Sequence, residues 1–186
     1  MRLIYTGILA LIWALVIIGV CWYLNPWFTF WEDAFSDFGV RGSCPWLYNW
    51  GLITSAFWFS LYSLALYRSS TSKGEAFASG LLLTASIFLA LIGVFPGGTR
   101  PHVFVSTWFF LQSFMGFAAL GIAIYRKGSR LGLLTALPSA LAPFIAVGVE
   151  LTLKWPSAAV AESAGILIIG LSLFSATLYY KQSIDH

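Results

Sequence analysis

Six long apolar runs constrain the fold of this chain more than any other feature. The first, about 3–24, contains no charged residue, and about 20 apolar residues are enough to cross the hydrocarbon core of a bilayer. Five further runs of similar length follow, at about 48–67, 76–95, 101–125, 131–153 and 158–180. The sequence therefore predicts an all-α polytopic membrane protein, a six-transmembrane-helix bundle that forms one domain over residues 1–186.

Composition supports a membrane location and argues against a nucleic-acid partner. Only 9% of residues are charged, whereas soluble domains contain about 25%. The net charge of +3 comes from basic residues in short loops between the runs, where they set topology. We expect membrane lipids as partners, a membrane protein complex as an alternative, and no nucleic acid.

The basic residues between the runs predict the orientation. Lys and Arg near short loops stay in the cytoplasm. Only Arg41, Arg100 and Lys154 lie in the first, third and fifth loops. The other seven lie at the termini or in the second and fourth loops: Arg2, Arg68, Lys73, Arg126, Lys127, Arg130 and Lys181. We therefore expect a multi-pass protein of the plasma membrane with both termini cytoplasmic and an uncleaved first span.

Residues 25–46, which we call the lid segment, form the longest interruption between runs and should lie on the outer face. Apolar residues recur there at three- and four-residue spacing, which is typical of one helix face: Phe28, Trp31, Ala34, Phe35 and Phe38. This pattern predicts an interfacial lid helix over 27–39 that lies on the membrane surface. In such a helix Asp33 and Asp37 would stand one turn apart.

The outer face also holds the candidate catalytic residues. Histidine titrates near neutral pH and serves as an acid or a base, and His102 begins the fourth run. Asp37 could orient and stabilise it, and Ser36 or Ser106 could then act as a nucleophile. The alternative is that His102 is an interfacial hydrogen-bonding residue and that the lid acids are simply solvated.

Candidate binding residues lie on the same face: Asn49, Arg100, Glu162 and Trp31. Arg100 could hold an anionic headgroup through charge-assisted hydrogen bonds. Glu162 lies near the start of the sixth run, where a helix dipole favours an acid, or it could neutralise Arg100. Glu150 and Lys154 have the spacing of a helical ion pair.

The cysteine and histidine content predicts no metal site and no cofactor. Two cysteines alone cannot complete a structural zinc site, and His102 has no histidine partner at helical spacing. Cys21 and Cys44 fall near the same membrane face. They could form a disulfide if that face is oxidising, or they could be two free thiols.

Several short motifs carry a resemblance to a known family. Ser36-Asp37-Phe38-Gly39, Asn49-Trp50-Gly51, Gly93-Val94-Phe95-Pro96-Gly97-Gly98 and His102 resemble an uncharacterised, largely archaeal family of six-span membrane proteins. That family is distantly similar to the Frag/DRAM/Sfk group, some of whose members are tied to lipid or glycolipid handling. The resemblance implies a six-helix fold and an outer cluster around Asp37, Asn49 and His102, but no reaction.

Three functional hypotheses follow from these features. The first is a protein that binds a lipid or a membrane partner protein through its outer polar and aromatic cluster. It is favoured by the 18% aromatic content and the few catalytic groups. The alternative is a membrane-embedded enzyme that acts on a lipid or isoprenoid headgroup through Asp37 and His102. A small-solute transporter ranks third, because the middle of each run is almost wholly apolar. The sequence leaves open whether the protein is an enzyme.

Overall fold

The chain folds into a bundle of long helices in the computed structural model, which describes residues 2–185. The six α-helices are α1 (Thr6–Leu24), α2 (Pro45–Ser69), α3 (Lys73–Val94), α4 (His102–Arg126), α5 (Leu131–Thr152) and α6 (Ala158–Asp185). Short 3-10 helices lie at Arg2–Tyr5 and Phe35–Gly39. No strand occurs among residues 2–185, which confirms the predicted all-α class.

Five segments are long and apolar enough to cross a membrane: Leu3–Leu24, Lys73–Val94, His102–Arg126, Leu131–Thr152 and Ala158–Gln182. This is compatible with a multi-pass membrane protein. The α2 helix falls outside the group although it has 25 residues. Its tryptophans, tyrosines, serines and Asn49 lower its mean hydropathy.

Successive helices pack against each other, as expected for elements joined by short loops. The most extensive contacts are made among α2, α3, α4 and α5, while α6 also touches α4 and meets α1 at only a few positions. Glycine allows a close approach between α4 and α5. A Cβ added to Gly121 would lie 2.4 Å from the backbone nitrogen of Ala136. Small residues at such contacts allow tight helix packing in lipid.

A buried carboxylate ties three parts of the bundle together at the far end, opposite the lid segment. Glu75 is 0% exposed. Its Oε2 accepts hydrogen bonds from Thr71 N (2.9 Å), Ser72 Oγ (2.9 Å) and Lys127 Nζ (2.6 Å), and its Oε1 accepts one from Tyr180 OH (2.8 Å). These contacts link α3 to the α4–α5 loop and to α6. The sequence did not single out this cluster.

The predicted lid helix is wrong for most of its length. Between 27 and 34 the lid segment consists of turns and extended residues, and only Phe35–Gly39 is helical, as a 3-10 helix. Of the five residues expected on one face, Phe28, Phe35 and Phe38 are buried, whereas Trp31 is exposed. The apolar spacing therefore identified three buried phenylalanines but did not correspond to a regular helix.

Local side-chain hydrogen bonds explain why this segment is not a continuous helix. Asp33 Oδ2 accepts from Thr29 N at 2.7 Å, and Asp37 Oδ2 accepts from Ala34 N at 3.0 Å. Such bonds occupy backbone donors in turns and compete with helical pairing. Arg41 then joins the two acids, at 2.7 Å from Asp33 and 3.8 Å from Asp37.

Candidate functional site

A cavity lies between α1, α2, α3, α4 and α6, beneath the lid segment. It has a volume of about 100 Å³. On the same scale, a cavity that holds one water molecule has a volume of about 10–15 Å³. Its lining positions on α1 extend from Gly7 to Ile18, a distance of about 16 Å along a helix. The cavity is therefore elongated along the helix axes.

The polar residues of this cavity gather at the lid end. They come from the lid segment and from the first turns of α2, α4 and α6: Ser36, Tyr48, His102, Ser106 and Glu162. Further along the helices the lining consists of Gly, Ala, Leu, Ile and Phe, with Ser55 as the exception. The Ser55 hydroxyl donates to Gly51 O at 2.8 Å. The cavity thus has a polar end and a long apolar body.

His102 presents one ring nitrogen without a protein partner at the polar end. The side chain is 8% exposed, and Nδ1 lies 2.8 Å from Phe95 O. A carbonyl oxygen only accepts, so Nδ1 carries a proton and donates to it. Nε2 has no hydrogen-bond partner among the described residues. The prediction that His102 belongs to a polar cluster is consistent with this position, although its chemical role stays a prediction.

Glu162 attaches α6 to the lid segment and lines the same cavity. Its Oε2 accepts from Phe35 N at 2.8 Å. Ser157 Oγ reinforces this attachment by donating to Phe30 O at 2.7 Å. The alternative in which Glu162 neutralises Arg100 is not formed, because Arg100 is exposed and makes no ion pair with any described residue. The backbone N–H of the lid segment supplies the partner instead.

Asp37 and His102 do not form the direct contact expected of an acid–base pair. The Asp37 carboxylate faces Ala34 N and Arg41, as described above, while His102 Nδ1 faces Phe95 O. Ser36 lines the cavity together with His102, but no hydrogen bond joins the two. The catalytic roles of Asp37, His102 and Ser36 therefore stay predictions.

Asn49 joins the lid segment to α2 and α3 and does not line the cavity. Its Nδ2 donates to Gly39 O at 3.0 Å, while its buried Oδ1 has no partner. A Cβ on Gly93 would lie 2.4 Å from Asn49 O, so α3 approaches α2 closely here. Trp31, the other predicted binding residue, is 62% exposed and packs edge-on against Phe30.

The two cysteines, Cys21 in α1 and Cys44 in the lid segment, are both free and buried. Asn25 Nδ2 donates to Cys21 O at 2.6 Å and lies 3.0 Å from Cys44 Sγ. Asn25 Oδ1 accepts from Trp27 Nε1 and Ser43 N at 2.9 and 2.8 Å. The disulfide alternative is not formed, and Asn25 fixes the two ends of the lid segment.

Two further expectations concern charge pairs and metals. Glu150 and Lys154 do not pair, because α5 ends at Thr152 and Lys154 adopts a left-handed conformation with φ +59°. Lys154 N donates instead to Val149 O at 2.8 Å. No group of three His, Cys, Asp or Glu side chains positioned to hold a metal ion occurs in the described part of the chain.

The cavity itself was not predicted, although α1 carries a signal for it. Gly7, Ala10 and Ala14 are small residues at three- and four-residue spacing, so they share one helix face, and all three line the cavity. Small residues in a membrane helix are also typical of close packing. The sequence alone cannot distinguish these two outcomes.

These features define a multi-pass helical membrane protein with a cavity between its helices. The family model described as "Protein of unknown function (DUF998)" matches residues 8–179, and the chain belongs to this family. The predicted membership of an uncharacterised family is thereby confirmed. No curated protein and no solved structure matches the chain.

Proposed function

We propose that this chain is a six-span protein of the plasma membrane, with both termini cytoplasmic, that binds the hydrocarbon chain of a membrane lipid in the cavity. The lipid head would lie at the polar end, beside His102 and Glu162. The observation that carries this proposal is the shape and polarity of the cavity, which has polar groups at one end and an apolar body below them. A lipid needs the same arrangement in its binding site, with polar groups around its head and apolar groups around its hydrocarbon chain.

The position of α2 supports a sixth span. The helix packs between α1 and α3, and its 25 residues extend about 37 Å, longer than a hydrocarbon core of about 30 Å. Its first charged residue is Arg68, in the last turn. Hydroxyls within it bond to the preceding turn, as when Ser63 Oγ donates to Phe59 O at 3.0 Å.

The exposure of one side of the cavity wall supports the entry of a lipid chain from the bilayer. Leu15 lines the cavity and is 48% exposed. It lies on α1, which meets α6 at only a few positions. A lipid chain could therefore reach the cavity between these two helices without passing through water.

The deep end of the cavity favours binding over transport. A Cβ on Gly7 would lie 2.8 Å from the ring of Tyr62, and Tyr62 is 0% exposed. Beyond it, the Glu75–Lys127 ion pair joins the helices at the far end. The resemblance to the largely archaeal family related to the Frag/DRAM/Sfk group fits lipid handling and is part of this proposal.

Native mass spectrometry of the gently purified protein tests the proposal. We expect about one co-purifying lipid per chain, and we expect Ala14→Trp to remove it by filling the cavity. Val16→Trp is the matched control, because Val16 lies on the same helix, is 48% exposed and does not line the cavity. Equal lipid loss from both variants, or a stoichiometric protein partner with no lipid, would contradict lipid binding in the cavity.

A further inference from the structure

We infer that the lipid held in this cavity has a hydrogen-bond-donating head that carries no negative charge, an alcohol or an amine, and that phosphate and carboxylate heads are excluded. This inference rests on the proposed function, because it assigns the class of ligand at the same site. It depends on which atoms at the polar end accept hydrogen bonds and on the charges that line it.

The first acceptor is His102 Nε2. Nδ1 is occupied as a donor to Phe95 O at 2.8 Å, and a neutral imidazole has one donor and one acceptor nitrogen. In the neutral ring Nε2 is therefore the acceptor, and the side chain is more than nine-tenths buried along the cavity wall. A donor on the ligand would satisfy it.

The second acceptor is Glu162. Its Oε2 is bonded to Phe35 N, while Oε1 has no partner in the described chain. Ser106 adds a third acceptor, because its hydroxyl proton points to Val103 O at 3.1 Å and leaves lone pairs for the cavity. An alcohol or an ammonium group could donate to these oxygens, whereas a carboxylate or a doubly ionised phosphate has no proton to donate.

No lysine or arginine lines the cavity to balance an anionic head. Arg41 lies on the lid segment, but it is bonded to Asp33 at 2.7 Å and stacks 4.0 Å from the centre of the Trp27 ring. Arg100 is exposed. A buried anion beside Glu162 would have no counter-charge, which is strongly unfavourable in a site of low polarity.

Four ligands with the same chain but different heads test this inference: oleyl alcohol, oleylamine, oleic acid and oleyl phosphate. Delipidated protein is titrated with each, and bound ligand is measured by native mass spectrometry. We expect the alcohol and the amine to bind about tenfold or more tightly than the acid and the phosphate, the difference expected for hydrogen bonds to charged groups. Equal or tighter binding of an anionic head would overturn the inference and leave lipid binding in place. Saturable binding of none of the four would instead overturn the proposed function.

A conservative variant assigns the selectivity to Glu162. In Glu162→Gln the amide oxygen can still accept from Phe35 N, so the attachment of the lid segment is preserved while the ionisable carboxyl group is removed. We expect oleylamine to lose about tenfold in affinity and oleyl alcohol to change little. Glu150→Gln is the control, because it removes one exposed carboxylate outside the cavity. Unchanged oleylamine binding in a folded Glu162→Gln protein, checked by thermal melting, would contradict the assignment.

Discussion

Glu75 shows how much one buried side chain can organise a bundle of this size. Its carboxylate accepts hydrogen bonds from Lys127, Tyr180, Ser72 and the backbone of Thr71. Lys127 keeps about a third of its side-chain surface exposed, whereas Glu75 keeps almost none. If the Glu75 carboxylate is removed, water can therefore hydrate the Lys127 ammonium group more readily than it can reach the buried donors.

Removal of this acceptor should destabilise the whole bundle. We expect Glu75→Ala to lower the free energy of unfolding by about 2–3 kcal/mol, because Tyr180 and Ser72 lose a partner and Lys127 loses its counter-charge. Thermal melting in detergent measures the change. Glu150→Ala, which removes an exposed carboxylate, should leave the melting temperature nearly unchanged. A similar melting temperature for Glu75→Ala and wild type would contradict the role given to Glu75.

Residue types at the polar end could be predicted in part. His102, Ser36 and Glu162 were identified because the sequence predicts that they share one end of the bundle, and they do line one cavity. Asp37 belongs to the same predicted cluster, but it accepts from Ala34 N. Position along the chain shows which end of the bundle a residue occupies. It does not show where a carboxylate points when nearby backbone donors compete for it.

At the scale of elements, the lid segment depends on Asn25 and not on a helix of its own. Asn25 is 1% exposed, and its side chain makes four hydrogen bonds, to Cys21, Cys44, Trp27 and Ser43. The spacing of apolar residues could not reveal this. A segment that is held by hydrogen bonds to one amide side chain leaves no periodic pattern in the sequence.

Loss of the Asn25 side chain should loosen the lid segment and uncover Cys44. We expect Asn25→Ala to raise the rate of maleimide labelling of Cys44 about tenfold or more, because unsatisfied buried groups favour local opening. Labelling followed by peptide mass spectrometry measures the rate at each cysteine. Glu32→Ala changes an exposed side chain of the same segment and should have no effect. Unchanged labelling of Cys44 in Asn25→Ala would show that other contacts hold the segment.

The contact between α4 and α5 gives a second prediction at this scale. Gly121→Ala would place a Cβ against the backbone of Ala136, which forces the helices apart and should cost about 1–3 kcal/mol. A Cβ on Gly80, by contrast, would meet no atom within 4 Å. Gly80→Ala should therefore be neutral or stabilising by helix propensity. Thermal melting of both variants checks the difference, and equal effects would rule out close packing as the reason for Gly121.

At the scale of the whole molecule, the long apolar runs predicted the helices but not how the helices pack against each other. Each run corresponds to one α-helix, with ends that differ from expectation by a few residues, as when α2 begins at Pro45. The cavity depends on how five helices, α1, α2, α3, α4 and α6, pack around it. Its small residues on α1 look the same as residues chosen for close packing, so spacing alone could not predict it.

The proposed six spans make a prediction that depends on α2. Ser43, just before this helix, and Ser69, its last residue, are both exposed. In intact cells, a membrane-impermeant maleimide should label Ser43→Cys and should label Ser69→Cys only after the membrane is permeabilised. Cys21 and Cys44 are buried, so the parent protein serves as the control for background labelling. Labelling of both introduced cysteines in intact cells would contradict a span at α2.

Photocrosslinking within the bilayer tests the central claim, that the cavity holds a lipid chain. The reagent is a lipid alcohol with a diazirine near the middle of its chain, and adducts are located by peptide mass spectrometry. We predict adducts on Leu52 and Ile169, which line the cavity and are only 6% and 7% exposed. Adducts confined to outward-facing residues such as Phe144 and Leu167, which are 76% and 73% exposed, would show that the lipid stays outside and would contradict the account.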